Sequence, residues 1–249
     1  MDLKKQKIRL NKAIAQSGLV SRRNADVLIK AGQVKVNGKL VTQYSFYVLP
    51  SDDIKVNGRT INLCDFKYLL FYKPRGYITT KQDEKNRKTV YDLLPSQVSV
   101  LKYAGRLDRD SEGLLIFSND GDFLNIAGSP SSKIKKVYLV TLEKNITNVE
   151  SEAIKLKMLN GIYLDGRLCK ATSVKYIKDK KLSVLEIVLE EGHNRQIRRM
   201  LQIIGFTASK LKRTQIGGFK LGNLRPGEHK EITKEEAYET LRSKKGDSF

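Results

Sequence analysis

The residues Arg106-Leu107-Asp108-Arg109-Asp110-Ser111-Glu112 pack acids and arginines against each other, and the next five are Gly113-Leu114-Leu115-Ile116-Phe117. An apolar run closed by the turn signal Asn119-Asp120-Gly121 predicts a buried strand. A polar loop running into that strand puts carboxylates at the edge of a core, where neighbours control their ionisation and geometry. Two plainer readings compete. Asp108, Asp110, Glu112 and Gly113 occupy positions one, three, five and six of a calcium loop. Position twelve, however, is Asn119 where a bidentate glutamate is needed, and a strand follows where that motif needs a helix. The other reading is a solvated polar turn without chemistry.

A second charged group lies far along the chain, in Glu190-Glu191-Gly192-His193-Asn194-Arg195-Gln196-Ile197-Arg198-Arg199-Met200. Ile197, Met200, Leu201 and Ile204 define one helical face, with Arg195, Arg199 and Gln202 opposite. Arg198 falls at the boundary, where an arginine can bury its stem and hold its guanidinium near a carboxylate. Between the two groups, the β-branched content of Lys136-Val137-Tyr138-Leu139-Val140-Thr141-Leu142 predicts a strand, with Tyr138 on the face of Val140 and Leu142. The ordinary role of such a tyrosine is core packing. His193 and His229 are the only histidines, which argues against histidine base catalysis and metal sites.

These groups need a scaffold, and 249 residues suffice for one large domain or two smaller ones. A net charge of +20 favours a polyanionic partner, nucleic acid first. Residues 1–64 hold 12 Lys/Arg against 4 Asp/Glu, while the other 185 hold 35 against 23, so the front quarter is the more charge-dense. No apolar run is long enough for a membrane span, and the N-terminus lacks a signal-peptide core, so a cytoplasmic protein is expected. Cys64 and Cys169 show no metal-ligand spacing and read as reduced or buried thiols.

The front quarter has its own pattern. A short helical face from Ile8 to Ala15 stops at Gly18. Ser21 sits as the N-cap of a second helix from about Arg22 to Ala31, with Ala25, Leu28 and Ile29 inward and Gly32 ending it. Asn37-Gly38 then predicts a hairpin between Gln33-Val34-Lys35-Val36 and Lys39-Leu40-Val41-Thr42, and Asn57-Gly58 a second turn. Arg22 and Arg23 open a helix whose free amides already favour phosphate. Arg9, Lys12, Lys30, Lys35 and Lys39 extend the basic surface, although a solvated side chain is the default for each lysine alone.

Arg-Leu-Asn-Lys, Ser-Arg-Arg and the Val-Lys-Val-Asn-Gly hairpin resemble the S-four-type RNA-binding domain across residues 8 to 58. Gly105-Arg106-Leu107-Asp108 before a Gly-Leu-Leu strand resembles the catalytic motif of ribosomal RNA pseudouridine synthases. The Lys73-Pro74-Arg75-Gly76 turn, Lys136-x-Tyr138-x-Val140 and Arg195-Gln196-Ile197-Arg198-Arg199-Met200 follow in that family's order. The resemblance implies an α+β chain with three parts. Residues 1–62 form the RNA-binding domain, and 63–235 a catalytic domain with a mixed, mainly antiparallel sheet flanked by helices. Residues 236–249 form a C-terminal tail with a frayed end.

The resemblance also implies roles. Asp108 is the ionised catalytic group, acting at the sugar or the base, with Arg198 as its ion-pair partner. Tyr138 stacks on uracil and takes part in deprotonating it, while Arg106 holds the backbone of the extruded nucleotide. Isomerisation exchanges nothing with a third molecule, so no cofactor and no metal are expected. The partner is ribosomal RNA or a ribosome-assembly intermediate, with no membrane, and the protein is a monomer. The Asn194–Met200 form leans to the large subunit. A small-subunit enzyme and a non-catalytic ribosome-binding protein are the alternatives. A nuclease would require Asp108, Asp110 and Glu112 to act as a metal-binding cluster.

Overall fold

The computed structural model describes residues 7–178 and 182–243. Contacts divide the chain into two compact units, Met1–Phe66 and Lys67–Phe249.

The first unit comprises β1 (Ile8–Arg9), α1 (Leu10–Gln16), α2 (Arg22–Lys30), β2 (Val34–Val36), β3 (Lys39–Leu40), β4 (Tyr47–Val48), β5 (Ile54–Val56) and β6 (Arg59–Thr60). Helix α1 starts at Leu10, later than its apolar pattern suggests, because Ile8 and Arg9 pair with Val48 and Tyr47. Ser21 caps α2 by accepting from the Asn24 amide at 3.2 Å. Both Asn-Gly pairs adopt the left-handed backbone that a two-residue hairpin turn needs. Leu10, Ala13, Ile14, Ala25 and Ile29 pack on Val34, Val36, Val48, Ile54 and Val56 to form the core. Leu63 packs against this core and the Cys64 carbonyl accepts from Gln16, so the unit extends four residues past the junction expected at 62.

The second unit contains β7 (Tyr68–Lys73), β8 (Lys102–Ala104), β9 (Glu112–Ser118), α3 (Gly121–Gly128), β10 (Lys136–Leu142), α4 (Asn148–Asn160), β11 (Ile162–Leu164), β12 (Arg167–Cys169), β13 (Ser173–Lys178), β14 (Ser183–Leu189), α5 (Gln196–Ile203), β15 (Ala208–Ile216), β16 (Phe219–Lys220), β17 (His229–Ile232) and α6 (Lys234–Arg242). Its main sheet runs β13-β14-β10-β15-β9-β7-β17, with β8 on β9 and β16 on β15. The expected mixed sheet is thus present. Its strand pairs are antiparallel except β9 with β15.

Apolar stripes dock the helices. Ile154 and Met158 of α4 and Ile197, Met200 and Leu201 of α5 join a core with Val140, Leu185 and Ile187. Asn119-Asp120-Gly121 does more than turn the chain, since the Asp120 carboxylate caps α3 through the Asp122 and Phe123 amides. The same carboxylate accepts from the Tyr68 and Tyr238 hydroxyls at 2.9 and 2.7 Å. Tyr238 belongs to α6, whose Ala237 and Leu241 are buried. That helix crosses the tail boundary expected at 235 and packs into the unit, because its apolar face has a core to cover. Residues 244–249, with the expected frayed end, lie outside the described residues. Among the described residues no helix is long and apolar enough to cross a membrane.

Candidate active site

The parallel pair of β9 and β15 organises the site. Gly113 sits opposite Arg213, with φ at +116°. A Cβ here would overlap the Arg213 backbone, so only glycine lets the strands approach. On its other edge β15 pairs with β10, placing Arg213 opposite Tyr138. The loop entering β9 therefore brings Asp108 to the cleft that Tyr138 faces. Asp108, Tyr138, Arg198 and Arg106 all line this cleft, whose volume is about 820 Å³.

The Asp108 loop is stapled at several points. The Ser111 amide donates to the Asp108 carbonyl at 3.1 Å, and the Gly76 amide to the Arg109 carbonyl at 2.7 Å. Thr79 Oγ1 donates to the Leu107 carbonyl at 2.8 Å. Lys73, fully buried, donates to the Ser111 and Pro74 carbonyls at 2.7 and 3.0 Å. The Lys-Pro-x-Gly turn is thereby the clamp on the acidic loop, a role its sequence alone does not reveal.

The expected Arg198–Asp108 ion pair is not formed. Arg198 Nε lies 3.3 Å from the Asp110 carboxylate. Its Nη2 donates to the Asp110 carbonyl at 3.2 Å and its Nη1 to the Ala208 carbonyl at 2.6 Å. Arg195 meets both acids, donating twice to Asp110 at 3.0 and 3.1 Å and standing 3.8 Å from Asp108. The helical wheel treats Arg195 as solvated, but it precedes the helix in left-handed backbone at φ 48°, which breaks the wheel's geometry. Arg199 pairs with Asp165 at 2.8 and 2.6 Å, away from the acidic loop.

Partial burial would push the Asp110 carboxyl up, but the Arg195 hydrogen bonds and the Arg198 charge outweigh it and hold it below the ordinary range. Burial lowers Lys73 to about 8 against the pull of Asp108, Asp110 and Glu112. Burial, then the Arg213 charge, lowers Lys136 to about 8. Lys136 lines the cleft and shares the buried face of β10 with Tyr138. Arg213 also lines it, with Nε held by the Leu114 carbonyl at 2.8 Å and Nη2 buried without a hydrogen-bond partner. Two-residue alternation is the signal that could have found Lys136, a charge in register with Tyr138 and Val140.

The other expected RNA contacts belong to the first unit. Arg22 and Arg23 are exposed on the first turn of α2, and Lys30 and Lys35 are exposed. Arg9 lies over the Tyr47 ring and donates to its hydroxyl at 3.2 Å, and Lys12 is half-buried. Cys64 is exposed and Cys169 buried, both as free thiols.

Residues 67–203 match the RNA pseudouridylate synthase family, and residues 8–54 the S4 domain. The first match spans more than half of the chain. This chain belongs to the RNA pseudouridylate synthase family. It is 39% identical over 231 residues to ribosomal large subunit pseudouridine synthase B of Bacillus subtilis, covering 92% of this chain and 93% of the relative. It is 40% identical over 227 residues to an uncharacterised RNA pseudouridine synthase of Rickettsia typhi, covering 90% and 91%. A crystal structure of a pseudouridylate synthase superposes with a TM-score of 0.63 at 28% identity, covering 94% of this chain and 99% of that one. The chain is thus a pseudouridine synthase with an RNA-binding S4 domain, which sets aside the non-catalytic and nuclease readings.

Proposed function

We propose that this pseudouridine synthase isomerises a uridine of large-subunit ribosomal RNA, with Asp108 as its catalytic group. The observation that carries the substrate is the match to the Bacillus large-subunit enzyme over nearly the whole of both chains. What supports Asp108 is its position in the cleft with Tyr138, on a loop clamped from several sides. The reaction breaks the bond from ribose to the base nitrogen and forms one to the base carbon, while a proton leaves that carbon and the nitrogen gains one. It exchanges nothing with a third molecule, so the enzyme acts without a cofactor.

Within this reading Tyr138 lies against the uracil, and its hydroxyl takes part in the proton transfer. Arg198 is a positioning residue that fixes Asp110 and the acidic loop, and Arg195 supplies the cation nearest Asp108. Arg106 holds the backbone of the extruded nucleotide. Arg9, Lys12, Arg22, Arg23, Lys30 and Lys35 dock the RNA by its phosphates. The enzyme works as a monomer in the cytoplasm, where ribosomal RNA is assembled.

The test is pseudouridine mapping across both ribosomal RNAs from a deletion strain and from the strain complemented with the wild-type or Asp108→Asn gene. Loss of one large-subunit pseudouridine, restored by the wild-type gene alone, is expected. A lost site in the small subunit instead overturns the substrate, and restoration by Asp108→Asn overturns the catalytic assignment.

A further inference from the structure

Cys169 ends β12 and is buried, while Glu191 and His193 lie on the segment from β14 to α5. One donor atom from each, the thiol sulfur, a carboxylate oxygen and an imidazole nitrogen, lies within 4.8 Å of the other two. Glu191 Oε2 is 3.4 Å from His193 Nε2. Donors on one zinc ion, with bonds of about 2.0–2.3 Å, stand about 3.3–3.6 Å apart at tetrahedral angles. Small side-chain rotations therefore close the set.

The surroundings are built to hold it. Glu191 keeps its other oxygen, Oε1, on the buried Gln196 Nε2 at 2.6 Å and the Lys170 amide at 3.4 Å. Gln196 in turn accepts from the His193 backbone amide at 3.0 Å, so one side chain orients the Glu191 carboxylate and holds the main chain that carries the imidazole. Outer-sphere hydrogen bonds of this kind fix ligands before a metal arrives.

We propose that Cys169, Glu191 and His193 form a three-residue site for a divalent metal ion of the zinc class. Thiolate and imidazole donors select borderline ions over magnesium or calcium, and three protein ligands leave a fourth position for water. Coordination releases the thiol proton to solvent. Cys169 lies 24 positions before His193, so no short spacing between them marks the site in the sequence. The bound ion ties the β11–β12 hairpin to the segment that leads into α5, the helix of Arg198. His193 and Gln196 line the same cleft as Asp108 and Tyr138, but the metal-binding readout does not depend on the roles given to those two residues.

The test is titration of metal-free, full-length protein with Co²⁺, followed by competition with Zn²⁺. A thiolate-to-cobalt charge-transfer band with visible bands of a four-coordinate ion is expected, and Zn²⁺ should bleach both. Cys169→Ala should abolish the charge-transfer band, His193→Gln should weaken Co²⁺ binding about 10-fold or more, and Gln196→Ala about 10- to 100-fold. Cys64→Ala, which removes the exposed thiol, should change nothing. Zn²⁺ should raise the thermal midpoint of the wild type and not of His193→Gln. No thiolate band, a band that follows Cys64, or unchanged affinity in His193→Gln overturns the site. The His193→Gln comparison decides the matter even if Cys169→Ala fails to fold.

Discussion

Arg198 faces Asp110 by side chain and by backbone together: Nε stands 3.3 Å from the carboxylate as an ion pair without a hydrogen bond, and Nη2 donates to the carbonyl at 3.2 Å. The arginine thus fixes the residue two positions beyond Asp108 and holds the loop by its main chain. A guanidinium can do this and an ammonium cannot, because the task needs two donors held apart in one plane, Nη1 on the Ala208 carbonyl and Nη2 on that of Asp110. Arg198→Lys should therefore lower kcat by about 10-fold or more with a smaller effect on RNA affinity. Arg199→Lys, which loosens only the pair with the exposed Asp165, should cost little stability and little activity. Equal losses in the two variants would remove Arg198 from its positioning role.

Asp108→Asn keeps the shape of the loop and removes a charge. Product formation should fall by roughly 10³-fold or more, with the fold and RNA binding retained. Asp110→Asn should behave differently, since Asp110 braces two arginines. It should lose some stability in denaturant unfolding, less than a buried pair would because Asp110 is 39% exposed, and only part of its rate. Its carboxyl titrates below the ordinary range in the folded protein, so its stabilising contribution is present above the unfolded pKa of about 4 and is lost as pH falls through the folded value. Robust turnover by a well-folded Asp108→Asn enzyme would end its assignment as the catalytic group.

Gly113→Ala tests the scaffold. The added methyl meets the Arg213 backbone, and φ of +116° is unfavourable for any side chain. A loss of about 2–5 kcal/mol is expected from overpacking and backbone strain together. Gly121→Ala is the control, because a Cβ there meets nothing within 4 Å. Similar unfolding midpoints for the two variants would contradict the close approach of β9 and β15.

Local pattern reveals the elements of this chain and much less of their long-range meeting. The strand Lys136–Leu142, the Ser21 cap and both Asn-Gly hairpins are legible because each depends on a few adjacent residues. Asp108, Tyr138 and Arg198 can be singled out by family resemblance, and they line one cleft. The partner of Arg198 is hidden because the turn closed by Ser111 on Asp108 decides which acid faces α5. Arg195 is misread because one left-handed residue before the helix redirects its side chain. Lys73, Arg213 and the neighbours of Cys169 depend on pairings between distant segments, which no spacing encodes.

Lys136 and Lys73 lose their protons near pH 8 in the folded protein, against about 10.4 in an unfolded chain. Between those values the folded chain binds fewer protons, so these groups make folding more favourable as pH rises from about 8 towards 10, and their burial weighs against folding below that. The same titration removes positive charge beside the cleft. The kcat/KM profile should fall on an alkaline limb with an apparent pKa near 8, and Lys136→Gln should remove or shift that limb. A wild-type profile flat to about pH 9.5 would show that neither lysine matters to the reaction.

The S4 unit should carry much of the salt dependence of RNA binding. Arg22 and Arg23 stand exposed on the first turn of α2, at the positive end of the helix dipole. That placement disfavours the free helix, and a bound phosphate would offset it. Each phosphate contact releases condensed counterions, so the logarithm of affinity falls with the logarithm of salt by about 0.7 to 0.9 per contact. Arg22→Ala with Arg23→Ala should flatten that slope by about 1.4 to 1.8 if each side chain makes one contact. The RNA concentration for half-maximal single-turnover rate should rise, whereas the saturated rate should change little because Asp108 and Tyr138 lie in the other unit. An unchanged salt slope and affinity in the double variant would move the docking surface to residues 67–249.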